Sequence, residues 1–266
     1  MSATRTPLTI VKIGGNIIND EAALSQVLMH LSRIKSAKIL IHGGGKLATE
    51  LAERLEMPQT LIEGRRVTDE GTLRIAVMVY AGIINKSIVA GLQGQGLNSI
   101  GLTGADLDLI RAKKRNPEPI DYGFAGDITK VNAMALRALL DSGATPVIAP
   151  LTHDGDGQLL NTNADTIANE VAKALSPHYE VTLIYSFELD GVLRDPSSPA
   201  SVIPTISRQE FLNLKTNRII SGGMIPKLEN AFRAIDSGVA TVIIGNAKAL
   251  PALLNGTAGT RIIHEH

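Results

Sequence analysis

Short apolar runs alternate with amphipathic stretches along most of the chain. The runs LTIVKI (8–13), AKILIH (37–42), ATPVIAP (144–150), EVTLIY (180–185) and ATVIIG (240–245) are rich in β-branched and aliphatic residues and read as strands. Between them, EAALSQVLMHLSRI (21–34), VNAMALRALLDSG (131–143), DTIANEVAKAL (165–175) and KLENAFRAIDSG (227–238) carry apolar residues at helical spacing. Two of these helices run into Ser-Gly, at 142–143 and 237–238, the expected glycine stop. Strand–helix alternation predicts an α/β fold with a mostly parallel sheet, and nearly continuous apolar strands predict a sheet covered on both faces.

One helix stands apart. TLRIAVMVYAGIINKSIVAGL (72–92) is apolar on most sides, interrupted only by Asn85, Lys86 and Ser87. Such a helix must be buried, as a central core helix or at a subunit interface, and it is too interrupted to read as a membrane span. Residues 103–130 mix charges, Gly and Pro and predict an excursion from the sheet, a hairpin. Pro196 and Pro199 mark a turn in the second half.

Composition narrows the function. The 266 residues suffice for one large domain or two lobes sharing a sheet. Acidic and basic residues balance at 26 each, so no basic field marks a nucleic-acid partner, and scarce aromatics with no Trp argue against base stacking. The chain has no Cys, which removes disulfides, thiolate metal sites and a Cys nucleophile. The apolar run before Lys12 is too short for a signal-peptide core, so a soluble, cytoplasmic protein without a membrane partner is expected.

The candidate chemistry lies in short polar and glycine-rich stretches. KIGGN (12–16) and HGGGK (42–46) each follow a predicted strand. HGGGK lacks the spacing of a P-loop, and GLQGQGLNSIG (91–101) fails the dinucleotide fingerprint because Ser99 stands where the third glycine belongs. Glycines at the carboxyl end of a parallel strand either make a tight turn or present backbone N–H groups to an anion. Two such ends, with Lys12 just before one, favour phosphate. In LLNTNADTIANEVAKAL (159–175), Asn161, Asn163 and Asp165 alternate, so an extended backbone would put all three on one side, and Asp165 is a candidate N-cap. IISGGMIPKLENA (219–231) sets Lys227 at a helix start, against its dipole preference, which suggests an anion nearby. IEGRRVTDEGTL (62–73) offers two arginines, the residue type suited to gripping a carboxylate.

Taken in this order, K-I-G-G (12–15), H-G-G-G (42–45), G-R-R-V-T (64–68), G-F-A-G-D-I (123–128), N-T-N-A-D (161–165) and G-G-M-x-x-K (222–227) resemble the amino-acid kinase family, most closely its acetylglutamate kinase branch. The resemblance spans nearly the whole chain. It implies a three-layer αβα sandwich. Residues 1–175 would form a lobe for acylglutamate binding and dimerisation, and 176–266 a nucleotide lobe, on one continuous sheet. It also implies ATP-dependent phosphorylation of the side-chain carboxylate of N-acetyl- or N-succinyl-glutamate, an early step of arginine biosynthesis.

Carried over by position, Lys12 and Lys227 would flank the transferring phosphoryl group, with Asp165 holding both. Gly14 and Gly15 would meet the nucleotide phosphates, and Gly44 and Gly45 would do so near the acceptor. Arg66, Asn161 and Asn163 would form the acceptor pocket. Glu188, Gly191, Leu193, Ile220, Ser221, Gly222 and Gly223 would line the nucleotide site. ATP would bring Mg²⁺ held mainly by phosphate oxygens, with no protein metal site. A carboxylate acceptor is already ionised at neutral pH, so no general base is needed, which fits six histidines of which none falls in a catalytic cluster.

The chain departs from the family at Lys46 (often Pro), Thr162 (often aliphatic), Glu188 (usually Asp) and GNAK at 245–248 (usually Asp-Gly-Arg). Competing readings keep the fold but change the acceptor to uridylate, carbamate, aspartate or glutamate, or make the protein a non-catalytic nucleotide-binding regulator. Arg66 with the two asparagines favours a dicarboxylate, and the absence of a further domain after residue 266 disfavours the longer aspartate and glutamate kinases. The arginine-inhibited members carry an extra N-terminal helix, whereas here the first strand begins almost at once. A homodimer insensitive to arginine is therefore expected. Light scattering should give twice the chain mass, and an arginine titration of activity should stay flat; saturable inhibition would overturn the expectation.

Overall fold

Strands form where the apolar runs predict them, in a computed structural model that describes residues 5–62, 65–186, 189–195, 197–220 and 224–263. β1 (Thr6–Ile13) leads through α1 (Gly15–Ile18) and α2 (Glu21–Ser32) to β2 (Ala37–His42) and α3 (Gly45–Arg54). A short antiparallel pair, β3 (Leu61–Ile62) and β4 (Arg65–Arg66), precedes a long continuous helix. That helix comprises α4 (Glu70–Ala76), a π-helical stretch (Val77–Ile84) and α5 (Asn85–Gly94). β5 (Ser99–Leu102), β6 (Ile110–Lys114), β7 (Gly126–Val131), α6 (Ala133–Asp141), β8 (Thr145–Ile148), β9 (Leu151–His153), β10 (Leu159–Asn161) and α7 (Ala164–Leu175) follow. The remainder contains β11 (Tyr179–Ser186), β12 (Thr205–Ile206), α8 (Arg208–Thr216), α9 (Met224–Asp236), β13 (Thr241–Gly245), α10 (Leu250–Leu254) and β14 (Thr260–Ile262).

Eight strands form the main sheet in the order β12-β14-β13-β11-β1-β2-β8-β5. All neighbouring pairs are parallel except β13–β14. Strand period two divides the core. Leu8 and Ile10 of β1 point to one face, packing with Ile167 and Val171 of α7, Phe211 of α8 and Leu228 and Phe232 of α9. Val11 and Ile13 point to the other, against Val27 and Leu31 of α2, Ala48 of α3 and Leu253 of α10. Both faces are therefore buried under helices, giving the three-layer αβα sandwich.

Local chemistry sets the helix ends. Asp20 caps α2 by accepting from the Ala23 N–H, Asp69 caps α4 through Thr72, and Ser207 caps α8 through Glu210. Gly143 and Gly238 adopt φ of 78° and 92° and stop α6 and α9, as the Ser-Gly pairs predict.

Three features depart from the sequence reading. The 103–130 excursion does hold the β6–β7 hairpin, but it belongs to a second sheet in the order β10-β9-β6-β7. β9 and β10 have three residues each, too few to display a period. The long helix, Glu70–Gly94, is long and apolar enough to cross a membrane by length and composition, despite its polar interruptions. It packs instead as a core helix, with Ile75, Val79, Tyr80, Ile84, Ile88 and Leu92 buried. Its outer side leaves Met78 51% and Ile83 57% exposed. Pro199 opens a single helical turn, Pro199–Ser201; Pro196 lies outside the described residues.

Ile184, fully buried at the centre of β11, tests this arrangement. Ile184→Ala should cost about 2–5 kcal/mol through lost burial and a residual cavity. The urea midpoint should fall at constant slope, whereas Glu180→Ala at the exposed start of the same strand should change stability by less than about 0.5 kcal/mol.

Candidate active site

The C-terminal ends of β11, β1 and β2 lie side by side, with Lys12 paired in register to Tyr185 on one side and Ile41 on the other. This is the edge of an open α/β sheet where loops and helix starts can meet a ligand. The two glycine turns touch there: the Gly43 N–H donates to the Ile13 carbonyl at 3.0 Å, and a Cβ on Gly43 would sit 3.8 Å from the Gly15 nitrogen. Lys12, Gly14, Gly15, Asn16, Ile17, Ser186 and Lys227 line an open cleft of about 290 Å³ at this edge. Two lysines far apart in sequence thus share one hollow.

Lys12 Nζ lies 2.6 Å from Asp165 Oδ1, with the two side chains 12% and 20% exposed. The strand carries the ammonium out of a largely apolar interior, and the carboxylate meets it from the first turn of α7. Asn163, not Asp165, is the N-cap: its side chain accepts from the Asp165 and Thr166 N–H groups. The strand ends at Asn161, so the expected one-sided extended row of Asn161, Asn163 and Asp165 does not form. A helical first turn replaces it, and this frees Asp165 to face Lys12. The Tyr185 hydroxyl donates to the Asp165 carbonyl at 3.4 Å, and burial raises the pKa of that phenol so that it stays a neutral donor.

On the other side of the Gly43–Gly45 turn, Arg66 donates to the Gly45 carbonyl at 2.9 Å, to Thr49 Oγ1 at 2.6 Å, and to Gln59 Oε1. Its guanidinium also faces the Tyr80 hydroxyl, whose pKa is raised by burial and partly offset by that positive charge. Three motifs form one wall beside it. The Thr68 N–H donates to the Tyr122 carbonyl, the Phe124 N–H to the Thr68 carbonyl, and the Asn161 N–H to the Phe124 carbonyl, at 3.0, 2.7 and 2.8 Å. Asn161 Nδ2 completes the wall with a 3.1 Å bond to Thr68 Oγ1.

The sequence-picked nucleotide residues fare differently. Gly191 and Leu193 are buried in the packing around β14, where a Cβ on Gly191 would come within 2.6 Å of Val202 and 2.8 Å of Thr260. Ile220 is 4% exposed and belongs to the core cluster on the α7–α9 face of the sheet. Glu188, Ser221, Gly222 and Gly223 lie outside the described residues. Residues the sequence reading did not pick include Asn16, Ile17 and Ser186 in the cleft and Thr49, Gln59, Thr68 and Tyr80 around Arg66. Ser186 follows directly on a predicted strand, which is a usable signal; Tyr80 sits inside an apolar helix and gives none.

Two departures from the family pattern find internal partners. Thr162 is buried and its hydroxyl lies 2.8 Å from that of Thr152, so the polar replacement is satisfied within the second sheet. In the GNAK segment, Asn246 accepts from the Lys248 N–H and Lys248 Nζ reaches Asp20 at 3.4 Å. Among the described residues no three His, Cys, Asp or Glu side chains gather to hold a metal.

The model of the Amino acid kinase family matches residues 7–246. The chain belongs to that family. An acetylglutamate kinase from Phocaeicola vulgatus is 55% identical over 91% of this chain and 95% of its own length. One from Bacteroides thetaiotaomicron is 52% identical over 97% and 99%. Among solved structures, N-acetylglutamate synthase from Neisseria gonorrhoeae, complexed with coenzyme A and N-acetyl-glutamate, superposes with a TM-score of 0.82 at 26% identity, covering 98% of this chain and 60% of that one. The mostly parallel sheet covered on both faces is this family's fold.

The tightest constraint on the site is Gly44. It has φ of 150°, and a Cβ there would lie 2.3 Å from Ile84 Cδ1. Gly44→Ala should destabilise the protein by about 1–3 kcal/mol through strain and overpacking, read as a lower thermal midpoint. A midpoint equal to wild type would show that the turn tolerates a side chain.

Proposed function

We propose that this amino acid kinase transfers the γ-phosphoryl group of ATP to the side-chain carboxylate of an N-acylated glutamate, giving ADP and an acyl phosphate. The observation that carries the reading is the single cleft lined by Lys12, Lys227 and the first glycine turn, with the second glycine turn and Arg66 beside it. ATP and an acylglutamate bring several negative charges together, and transfer then needs cations and oriented N–H groups more than covalent chemistry. The kinship with acetylglutamate kinases supports N-acetylglutamate as acceptor.

In this mechanism the ionised carboxylate oxygen attacks the γ-phosphorus as the bond to the ADP oxygen breaks. Lys12 and Lys227 stabilise the charge on the transferring group. Asp165 orients Lys12, and Lys227 in the same cleft, and abstracts no proton, because the nucleophile carries none at neutral pH. Gly14 and Gly15 bind the nucleotide phosphates; Gly44, Gly45, Arg66, Asn161 and Asn163 hold the acceptor. Glu188, Gly191, Leu193 and residues 220–223 belong to the nucleotide side, where Gly191 and Leu193 shape the loop from within. Among the described residues, the carboxylate at the cleft, Asp165, is already paired with a lysine and no acidic cluster gathers, so Mg²⁺ fits as a companion of the nucleotide held by phosphate oxygens. When bound it offsets phosphate charge. Residues 1–175 form the acceptor lobe and 176–266 the nucleotide lobe. The exposed Met78 and Ile83 of the long helix supply the apolar face of a cytoplasmic homodimer.

Coupled ADP detection with N-acetyl- and N-succinyl-glutamate tests the reading, and no turnover with either would sink it. Lys12→Ala and Lys227→Ala should lower kcat by about 100-fold or more, because their charges matter most in the transition state. Arg66→Lys should instead raise the acceptor KM by about tenfold while sparing ATP, since the planar fork is lost. Equal effects of all three on the ATP KM alone would refute this division of roles.

A further inference from the structure

The acceptor-side turn is anchored from behind by a pair of polar residues sealed in the core. His42 and Asn85 are 0% and 1% exposed. His42 Nδ1 lies 2.8 Å from the Gly43 carbonyl oxygen, and Nε2 lies 3.2 Å from Asn85 Nδ2, which also donates to the Val147 carbonyl at 2.9 Å. The partners dictate the protons. The Val147 carbonyl can only accept, so the Asn85 amide nitrogen faces inward and Nε2 must be the acceptor. The Gly43 carbonyl can only accept, so Nδ1 carries the hydrogen. Burial holds the imidazole pKa down, to about 4, so the ring is neutral at physiological pH. The transfer mechanism makes no use of this ring.

Its consequence lies in one peptide plane. The Gly43 carbonyl and the Gly44 N–H are the two ends of the same trans peptide and point in opposite directions. Holding the oxygen against the buried ring turns the Gly44 N–H away from it. The bonds flanking this peptide belong to two glycines, which rotate without a Cβ penalty, so an unanchored plane could flip and offer a carbonyl in place of an N–H. An anion would then meet a dipole of the wrong sign.

The π-helical stretch explains how Asn85 reaches the ring. The Asn85 N–H bonds back to the Tyr80 carbonyl five residues earlier, and this π turn brings the two side chains closer in rotation than the roughly 140° an α-helix sets between such positions. Tyr80 and Ile84 meanwhile pack on the Gly44 side of the turn, at 3.1 and 2.3 Å from where its Cβ would be. Asn85 Oδ1 sits where a Cβ on Gly101 would be, 1.9 Å away, so a residue of β5 closes the other side.

We propose that His42 and Asn85 are a positioning pair that locks the Gly43–Gly44 peptide so that the turn presents an N–H, not a carbonyl, to the anionic acceptor. The proposal rests on the acceptor-side reading of Gly44. Nitrogen NMR of histidine-labelled wild-type protein at neutral pH should show His42 as the Nδ1–H tautomer; the Nε2–H form would overturn the lock. In kinetics, His42→Leu should raise the acylglutamate KM by about tenfold, the worth of one well-aimed hydrogen bond, with the ATP KM changed by less than about twofold. His42→Asn places an amide donor near the Nδ1 position and should restore the acceptor KM to within about threefold of wild type. Equal acceptor KM values for the Leu and Asn variants, or a fall in thermal midpoint with both KM values unmoved, would overturn the proposal. If the Leu variant does not fold, the tautomer and the Asn variant decide. An enzyme that turns over no acylglutamate sinks the acceptor reading by itself; the tautomer is read without turnover and supports or overturns the lock independently.

Discussion

Strand β1 runs through the middle of a sheet covered on both faces, and its penultimate residue has to leave that interior carrying a charge. An ammonium at such a place is costly unless it is paired and hydrogen-bonded. Asp165, 2.6 Å away on the first turn of α7, supplies the pair. The same pairing fixes where α7 starts relative to β1 and where the cleft opens. Lys227 then faces the same hollow from α9, and the charge balance there favours an anion.

The glycine turns add the complement. Neither is a phosphate loop of a known spacing, and each alone would be an ordinary strand-to-helix connection. They become a cradle because β1 and β2 are neighbours in register, so that Gly43 bonds to Ile13 and both turns open on one edge. Arg66 is bound to the second turn through the Gly45 carbonyl, which places a guanidinium beside that turn. Behind that turn the long helix does structural work that its apolar sequence conceals. Its π stretch brings Tyr80, Ile84 and Asn85 together against two glycines and one imidazole.

Departures from the family pattern also acquire physical reasons. At Thr162, where the resemblance leads one to expect an aliphatic residue, the hydroxyl is met by that of Thr152 at 2.8 Å. The GNAK segment trades a charged pattern for a cap and an ion pair to Asp20. Both substitutions are absorbed locally, which is why they leave the cleft intact. Further along the chain, Gly191 answers to the close approach of Val202 and Thr260, so packing alone requires its side-chain-free position.

By itself the amino-acid sequence determined the periodic elements, the parallel α/β architecture, the helix stops at Gly143 and Gly238, and the residue types able to handle several anions. Those properties are local: apolar spacing, turn chemistry and charge act within a few residues. The tertiary structure alone decided which local signals meet. Asn163 rather than Asp165 caps α7 because Asp165 is claimed by a lysine more than a hundred and fifty positions away in sequence. β9 and β10 are strands only because they pair with each other and β9 meets the edge of β6. Tyr80, Thr68 and the His42–Asn85 pair enter the site through contacts across dozens of residues, and no periodicity along the chain encodes a contact made across the fold.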